Sequence, residues 1–437
     1  MTAPVFGWYG DDFTGATDTL SVLAQAGLRS MLFMGVPTAA ALHAAGPLDA
    51  VGIAGAARAM APEAMRAELS PVGRFFQSLA PAVLHYKVCS TFDSAPAVGN
   101  MACAIGSLHA SVDHAWIPIV GGQPSLGRYC AFSHLFAAAG TGGEVHRIDR
   151  HPTMRQHPVT PMTEADLRIH LSNQGLQNIT SLHFPQYAAG TEALEQQLDA
   201  LHSPGQLPQP MVLDVTEASQ LALLGRLLWQ QAQKARLLAV GSSAIAQALV
   251  AYWKPAATTS HAPLAPVTAP VFAWAGSLSP LTAAQVQAAN SYERMAIDGP
   301  LLGQDENYAQ AMHDRICAGL AQGQHVLAYT APSAAQTVNT RAVASVAQAS
   351  AALVAKVVQT QAVSGTPLQR VGIAGGDTSS HAVQALQLWG LSYQSTICPG
   401  VTLSCAHSAH PALHGLELML KGGQMGGLDL FERLLGE

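Results

Sequence analysis

The stretch WYGDDFTGATD, residues 8–18, joins a short apolar run to a Gly-Ala-Thr turn through two adjacent carboxylates. An apolar run followed by such a turn predicts a buried strand that leads into a helix. Asp11 and Asp12 repel each other, so another group must stabilise the pair. A helix N-terminus, a metal ion or a substrate with hydroxyl groups could do so, and the stretch alone leaves all three open.

The same pattern recurs through the first half of the chain, where short apolar runs alternate with longer Ala-rich segments. The runs are SMLFMG (30–35), DAVGIAG (49–55), AVLHYKVCS (82–90), HAWIPIV (114–120), PMVLDV (210–215) and LLAVGS (237–242). Strands separated by helix-length spacers predict βαβ units and a parallel sheet with helices on both faces. Ligands of such sheets bind at the C-terminal strand ends, where the paired aspartates, residues 87–93 and the loop after Val120 fall.

A change in composition divides the chain. Residues 254–270, KPAATTSHAPLAPVTAP, are rich in Pro, Ala and Thr and predict a linker. Strand and helix patterns resume after it, for example in VFAWAGS (271–277) and HVLAYT (325–330). We therefore predict an α/β protein of two domains, residues 1–254 and 271–437, joined by a linker of residues 255–270. Each domain is expected to be a mainly parallel sheet flanked by helices.

The composition narrows the classes of partner. The 437 residues carry a net charge of −6 and only 11% are charged, which gives no basic field for nucleic acid or an anionic membrane. The first residues, MTAPVFGWYGDD, lack the basic and apolar regions of a secretory signal. Six cysteines without a CxxC pair indicate neither a disulfide framework nor a zinc ribbon. We therefore expect a cytoplasmic protein that binds small molecules, and leave a homodimer open.

Two polar segments of the N-terminal half are candidates for substrate binding. YKVCSTFDS (86–94) ends an apolar run with a cation, an acid and hydroxyls: Lys87, Ser90, Thr91 and Asp93. This set suits a polyhydroxylated anion, although a polar loop with a helix cap at Ser94 explains the same residues. RQHPVTPM (155–162) presents His157 in a Pro-bounded loop, where it could equally serve in packing.

The C-terminal half contains three glycine turns. In VGIAGGDTSSHAVQ (371–384), Gly375 and Gly376 join an apolar run to a helical segment. Backbone N–H groups at such a turn suit a phosphate, but an ordinary strand, turn and capped helix would give the same pattern. The turns in AGSLSP (275–280) and KGGQMGG (421–427) are weaker signals of the same kind.

The standard nucleotide signatures are absent from the sequence. GGQPSLGRY (121–129) has the glycine spacing of a P-loop, but Arg128 and Tyr129 replace its Lys and Ser or Thr. No GxGxxG follows the first strand, which argues against a nicotinamide-dependent dehydrogenase. A kinase with this sequence would therefore bind phosphate at a different turn.

Six blocks together resemble the four-carbon acid sugar kinases, a family formerly described as a domain of unknown function. In chain order they are YGDDFTGATD, YKVCSTFDS, RQHPVTPM, AGSLS, AGGDTSS and KGGQMG. The resemblance implies a two-domain kinase that binds the acid sugar in its N-terminal domain and ATP in its C-terminal domain, with the active site in the cleft between them. Phosphoryl transfer also calls for Mg²⁺ to bridge the phosphates, and the sequence indicates no ligands for it.

The blocks CSTFDS and HPVTPM are most similar to those of the 3-oxo-tetronate 4-kinases. This similarity implies transfer of the ATP γ-phosphoryl group to the C4 hydroxyl of a 3-oxo-tetronate. The alternatives are a D-threonate or D-erythronate kinase, and a sugar-acid binding protein without catalysis.

The resemblance also implies roles for single residues. We expect Asp12 to accept the proton of the acceptor hydroxyl and Asp11 to help position it. The expected substrate contacts are Lys87, Ser90, Thr91, Asp93, Arg128 and His157, with Lys87 and Arg128 at the substrate carboxylate. The expected ATP contacts are Ser277, Ser279, Gly375, Gly376, Asp377, Thr378 and Gly423.

Three positions depart from the family pattern. Gly10 stands where Ala is usual, and Leu126 stands where Asn is expected, which weakens the substrate contact expected of Arg128. Asp377 stands where the family commonly has Glu, so its carboxylate would reach about one methylene less far. None of these changes affects the acid pair or the glycine turns.

Overall fold

The computed structural model describes residues 3–140, 142–157, 159–200, 207–254, 264–276, 279–330, 340–398, 400–422 and 425–436. The chain divides into two compact units, Met1–Thr259 and Ser260–Glu437, which we call the N-terminal and C-terminal units. Most of the predicted linker, residues 255–263, lies outside the described residues. Residues 264–270 belong to the C-terminal unit, where the Val267 N–H donates to the Leu435 carbonyl at 2.8 Å.

The strands of the N-terminal unit follow the predicted apolar runs and add four more. They are β1 (Phe6–Gly10), β2 (Ser30–Phe33), β3 (Ala50–Ala54), β4 (Val83–Lys87), β5 (Trp116–Val120), β6 (Arg128–Ala131), β7 (His134–Ala138), β8 (Val145–Arg147), β9 (Thr180–Leu182), β10 (Gln209–Leu213) and β11 (Leu237–Gly241). The helices are α1 (Phe13–Gln25), α2 (Ala39–Ala45), α3 (Pro62–Leu79), α4 (Met101–His109), α5 (Leu167–Ser172), α6 (Thr191–Asp199), α7 (Leu221–Ala232) and α8 (Ala244–Trp253).

The main sheet of this unit is parallel and has the order β2-β3-β1-β4-β11-β5-β10-β9. Its central strands are buried along their whole length, as continuous apolar runs require when helices cover both faces. The register aligns Gly10 with Ala54 and with Lys87, and Lys87 with Gly241. The C-terminal ends of β1, β3, β4 and β11 therefore lie at one edge.

A small antiparallel sheet, β6-β7-β8, follows the main sheet's β5 and was not predicted from the sequence. Its tight turn places Phe132 and Ser133 at φ values of 51° and 65°, in the left-handed region. Asp214, fully buried after β10, accepts the backbone N–H groups of both residues at 2.8 and 2.9 Å. This carboxylate stabilises the turn from a position about eighty residues away in sequence.

The C-terminal unit is a second α/β unit with a mixed sheet. Its strands are β12 (Phe272–Ala275), β13 (Tyr292–Ile297), β14 (His325–Thr330), β15 (Arg370–Ala374), β16 (Gly390–Cys398), β17 (Val401–His407) and β18 (Glu417–Lys421). Its helices are α9 (Pro280–Ala288), α10 (Gly299–Gln304), α11 (Glu306–Ala321), α12 (Thr340–Val363), α13 (Gly376–Ala385) and α14 (Leu430–Arg433).

The order in this unit is β13-β14-β12-β15-β18-β17-β16, parallel as far as β18 and antiparallel for the last two strands. The predicted α/β class, with two mainly parallel sheets flanked by helices, is thus confirmed. Among the described residues, no helix combines the length and the apolar content needed to cross a membrane.

The contact between α7 and α8 in the N-terminal unit depends on a glycine. Gly225 is buried, and a Cβ atom there would lie 1.8 Å from the carbonyl oxygen of Ala248. We expect Gly225→Ala to lower the free energy of unfolding by about 2 kcal/mol or more, because the two helix backbones must separate. Urea unfolding of the purified variant measures this change.

Gly106 of α4 provides the matched control. It is exposed, and an added Cβ atom would meet nothing within 4 Å. Gly106→Ala should therefore stabilise the protein by about 0.5 to 1 kcal/mol through helix propensity alone. Equal effects of the two substitutions would contradict the packing described here.

Candidate active site

The edge at which β1, β3 and β4 end collects charged side chains from three separate parts of the sequence. Asp11 and Asp12 follow β1, Arg58 follows β3, and Lys87 is the last residue of β4. The backbone joins them: the Asp11 N–H donates to the Lys87 carbonyl at 3.0 Å, and the Arg58 N–H donates to the Asp11 carbonyl at 3.2 Å. We call these residues, with Asp93, the N-terminal polar cluster.

Asp12 is the N-cap of α1, with extended backbone angles of −144° and 160°. Its Oδ1 atom accepts the Gly15 N–H at 2.7 Å, and its Oδ2 atom accepts the Thr14 hydroxyl at 3.2 Å. The Arg58 guanidinium donates to Oδ2, and Lys87 Nζ lies 4.0 Å from Oδ1. Burial alone would raise the pKa of Asp12, but Arg58, Lys87 and these hydrogen bonds hold it below its usual value.

Asp11 lies in a different environment although it is the adjacent residue. Its side chain is only 4% exposed, and its Oδ1 atom has no hydrogen-bond partner among the described residues. Burial raises the pKa of Asp11 to about 7, and the negative charge of Asp12 adds to the rise that Arg58 opposes. One carboxylate of the pair is therefore ionised at neutral pH, and the other is poised between its two forms.

Gly15 allows Lys87 to approach the start of α1. A Cβ atom on Gly15 would lie 1.7 Å from Lys87 Nζ and 2.5 Å from Asp12 Oδ1. The glycine of the DDFTGA motif is thus required by the close approach of a cation to the helix N-terminus. At Gly10, an added Cβ atom would lie 2.5 Å from the Ala16 methyl carbon, so the departure from the usual Ala fits the packing here.

The predicted loops 86–94 and 155–162 meet at Asp93. The Thr91 hydroxyl donates to Asp93 Oδ1 at 2.5 Å, and the Thr160 hydroxyl lies 3.5 Å from Asp93 Oδ2. Thr160 in turn contacts His157 Nδ1 through its hydroxyl at 2.9 Å and its N–H at 3.1 Å. The structure therefore brings together Thr91, Asp93 and His157, with Thr160 as the link between the loops.

Arg58 is surrounded by acidic groups of this cluster. Burial alone would lower its pKa, but Asp12, Asp11 and Asp93 raise it well above the usual value. Two cations and three carboxylates thus share one strand edge, with hydroxyl groups beside them. Such a set can bind a carboxylate through its cations and orient hydroxyl groups through its aspartates.

Two of the predicted substrate contacts, Ser90 and Arg128, take no part in the hydrogen bonds described above. Ser90 is half-buried and makes no side-chain hydrogen bond to the described residues. Arg128 begins β6, where its Nη1 atom donates to the carbonyls of Leu126 at 2.8 Å and Ala138 at 3.2 Å. Burial lowers the pKa of Arg128, an effect that the nearby Cys89 thiol partly offsets. Backbone carbonyl groups therefore already accept hydrogen bonds from part of this guanidinium group.

The glycine turn of the C-terminal unit has the geometry of an anion site. Gly375 has φ 135° and directly follows β15, and α13 begins at Gly376 without a side-chain cap. The first N–H groups of a helix have no partner within it, and the helix dipole favours negative charge there. Within the described part of the chain, an added Cβ atom on Gly376 would meet no atom within 4 Å.

Backbone hydrogen bonds connect this turn and β15 to the ends of the neighbouring strands β18 and β12. The Gly375 N–H donates to the Lys421 carbonyl, and the Gly276 N–H donates to the Ala374 carbonyl, both at 2.8 Å. Thr378 is buried, and its Oγ1 atom would lie 2.6 Å from a Cβ atom on Gly276. The turns after β12 and β15 are therefore packed against each other.

The remaining predicted ATP contacts are only partly covered by the structure. Ser279 is described, and its hydroxyl accepts the Thr282 N–H at 3.2 Å as the N-cap of α9. Ser277, Gly423 and the side chain of Asp377 lie outside the described residues. In the part of the chain that is described, no group of three His, Cys, Asp or Glu side chains is arranged to hold a metal ion.

Known proteins resemble both units. Residues 6–249 match the sugar-binding N-terminal domain family, and residues 272–431 match the nucleotide-binding C-terminal domain family. A 3-oxo-isoapionate kinase of Paraburkholderia graminis is 35% identical across 97% of this chain and 92% of its own. A 3-oxo-tetronate kinase of Cupriavidus necator is 30% identical across 99% and 96%.

The chain belongs to the four-carbon acid sugar kinase family. The resemblance of the six sequence blocks is thereby confirmed. Solved structures agree at the level of the fold: a Salmonella typhimurium protein is 24% identical with a TM-score of 0.79, and a Haemophilus influenzae protein is 24% identical with a TM-score of 0.72. Each alignment covers 98% of both chains.

Two residues of this acid sugar kinase were missed by sequence reasoning. Arg58 lies just beyond the apolar run DAVGIAG, and the parallel order β3-β1-β4 places that strand end beside Asp12. Lys421 directly follows the apolar run of β18, and its side chain is fully buried. In both cases the available signal was a cation next to the C-terminal end of a predicted strand.

The aspartate pair predicts a pH dependence of stability. The pKa of Asp11 rises from 3.8 to about 7 on folding, so wild-type protein loses stability as pH increases from about 4 to 7, by up to about 1.4 kcal/mol per pH unit. Asp11→Asn removes this loss, and its stability relative to wild type should grow over that range and stay level above it. Urea unfolding at several pH values between 4 and 8 measures the difference.

Asp12→Asn is the matched control with the opposite sign. The pKa of Asp12 is lowered on folding, so its contribution to stability is present above its unfolded pKa and is lost as pH falls below about 4. The cost of Asp12→Asn should therefore change little between pH 5 and 8, and only through the pKa of Asp11, which the Asp12 charge raises. A constant difference between Asp11→Asn and wild type from pH 4 to 8 would show that Asp11 is not buried as described.

Proposed function

We propose that this chain is an ATP-dependent kinase that phosphorylates the C4 hydroxyl of a four-carbon 3-oxo sugar acid, a 3-oxo-tetronate. The observation that carries the proposal is the N-terminal polar cluster, where cations and carboxylates share a strand edge in a sugar-binding domain. The relatives named 3-oxo-tetronate kinase support it, since several are aligned with this chain over almost its full length.

The acceptor acid would bind through its charge and its hydroxyl groups. Lys87 is 5% exposed and close to the N-terminus of α1, so it offers a positive charge in a largely desolvated position. Arg58 supplies a second cation. Asp93, already bound to Thr91, offers carboxylate oxygens to hydroxyl groups of the acid. The contacts expected of Ser90, Arg128 and His157 remain part of the proposal.

Asp12 would orient the acceptor alcohol and receive its proton. Its side chain is 15% exposed, whereas Asp11 is enclosed, so Asp12 is the carboxylate within reach of a ligand. Arg58 and Lys87 keep Asp12 ionised at neutral pH. A weakly basic carboxylate suffices because phosphoryl transfer has a loose transition state that depends more on position than on proton removal.

ATP would bind in the C-terminal unit, with its phosphates at the uncapped start of α13. The proposed contacts there are Ser277, Ser279, Gly375, Gly376, Asp377, Thr378 and Gly423. Mg²⁺ would arrive with the nucleotide, because the phosphate oxygens supply much of its coordination. No side chain is assigned to it, since the described residues offer no cluster of ligands.

A second candidate substrate is 3-oxo-isoapionate. The relative of that name shares 35% of its residues with this chain, against 30% for a 3-oxo-tetronate kinase. Both names specify a 3-oxo acid, so the two candidates agree on the keto group and differ in the carbon skeleton.

ADP release from purified enzyme decides among these substrates. We expect turnover with ATP, Mg²⁺ and a 3-oxo acid, and at least tenfold lower kcat/KM with D-threonate or D-erythronate. The panel should contain 3-oxo-tetronates, 3-oxo-isoapionate, D-threonate and D-erythronate. Binding of an acid in calorimetry without ADP release from any mixture would instead support a sugar-acid binding protein.

Asp12→Asn tests the assignment of the alcohol-orienting residue. Asparagine is a good N-cap, so the variant should fold with α1 intact. Turnover should fall by about 10²- to 10⁴-fold because the charged acceptor is lost. Circular dichroism and the rate of ADP release measure the two effects. Wild-type kcat in a folded Asp12→Asn protein would rule out this role.

A further inference from the structure

Lys421 is a fully buried cation at the C-terminal end of β18. Its Nζ atom donates to Thr282 Oγ1 at 2.8 Å and to Gln285 Oε1 at 2.6 Å, both on α9. Burial lowers the pKa of Lys421 to about 8. An enclosed ammonium group is expensive to desolvate, so its contacts must offset that cost.

These contacts link Lys421 to three segments around the glycine turn. Thr282 lies in the first turn of α9, whose N-cap is Ser279. The Gln285 side-chain amide donates to the carbonyls of Met425 at 3.0 Å and Gly427 at 2.8 Å. The Lys421 carbonyl accepts the Gly375 N–H at 2.8 Å. One residue thus connects the start of α9, residues 425–427 and the start of α13.

We propose that Lys421 is a positioning residue for the nucleotide: it fixes the start of α9, residues 425–427 and the Gly375 turn relative to one another, and so sets the affinity for ATP. The inference rests on the proposed function of the C-terminal unit. Lys421 is enclosed and acts through the backbone groups that these segments present. Lys421→Met keeps the length of the side chain and removes its donors, so it should free the start of α9 and, through Gln285, residues 425–427. The backbone hydrogen bond from Gly375 to Lys421 remains, so these segments lose their fixed position relative to the Gly375 turn.

Arg370 offers a matched control for the loss of a buried cation. It is also fully buried, and it donates to Glu417 Oε2 and to the Leu434 carbonyl, each at 2.7 Å. The parallel register of β15 and β18 pairs Arg370 with Glu417 and Ala374 with Lys421. The two cations therefore lie at opposite ends of one strand pair, about 13 Å apart along the strands.

Calorimetric titration with ATP and Mg²⁺ tests the inference, together with KM for both substrates. Lys421→Met should raise the Kd for ATP at least tenfold and leave the KM for the sugar acid within twofold. Arg370→Met should lower Tm while leaving the Kd for ATP within twofold of wild type. Equal Kd values for Lys421→Met and wild type, or equal losses in both variants, would overturn the inference.

Thr282→Val decides the question if Lys421→Met does not fold. This change keeps the shape of the side chain and removes the hydroxyl that accepts hydrogen bonds from Lys421 and from the Ser279 hydroxyl. The Kd for ATP should rise at least threefold with no change in the KM for the sugar acid, and an unchanged Kd would overturn the inference. If wild-type protein binds no ATP, the proposed function and this inference are both wrong. If it binds ATP and only the variants behave unexpectedly, the inference alone fails.

Discussion

The repulsion between Asp11 and Asp12 is the constraint around which the N-terminal unit is arranged. The fold offsets it by placing the ends of β3 and β4 beside the end of β1, which delivers Arg58 and Lys87 to the same edge. Both cations act mainly on Asp12, which also caps α1. The two adjacent aspartates therefore differ. The cations stabilise the charged form of Asp12, whereas burial makes Asp11 harder to ionise.

Features that depend on local sequence could be predicted from the sequence alone. Short apolar runs gave the central strands of both sheets, because parallel strands with helices on both faces are buried throughout. The rule that ligands bind at C-terminal strand ends then selected Asp11, Asp12 and Lys87, and the glycine pattern before a helix selected the Gly375 turn. All of these residues lie within a few positions of a strand end, so local sequence suffices to locate them.

Features that depend on contacts between distant parts of the sequence could not be predicted in this way. Arg58 reaches Asp12 from 46 residues away, and Asp214 holds the turn of the small antiparallel sheet from more than 80. Thr160 joins Asp93 across 67 residues. A solvated arginine and a polar loop threonine give the same local pattern as these residues do, because the sequence does not specify which strand ends become neighbours.

The two units each place a lysine at the end of a parallel strand, but in different surroundings. Lys87 ends β4 and faces an ionised aspartate at the start of α1, where Gly15 leaves room for its ammonium group. Lys421 ends β18 and donates to a hydroxyl and an amide, and its pKa falls to about 8. A lysine beside a carboxylate forms part of a charged group of side chains, whereas a buried lysine that donates to a hydroxyl and an amide holds together the residues that carry them. Strand position alone therefore does not determine the role of such a lysine, and its partners must be identified.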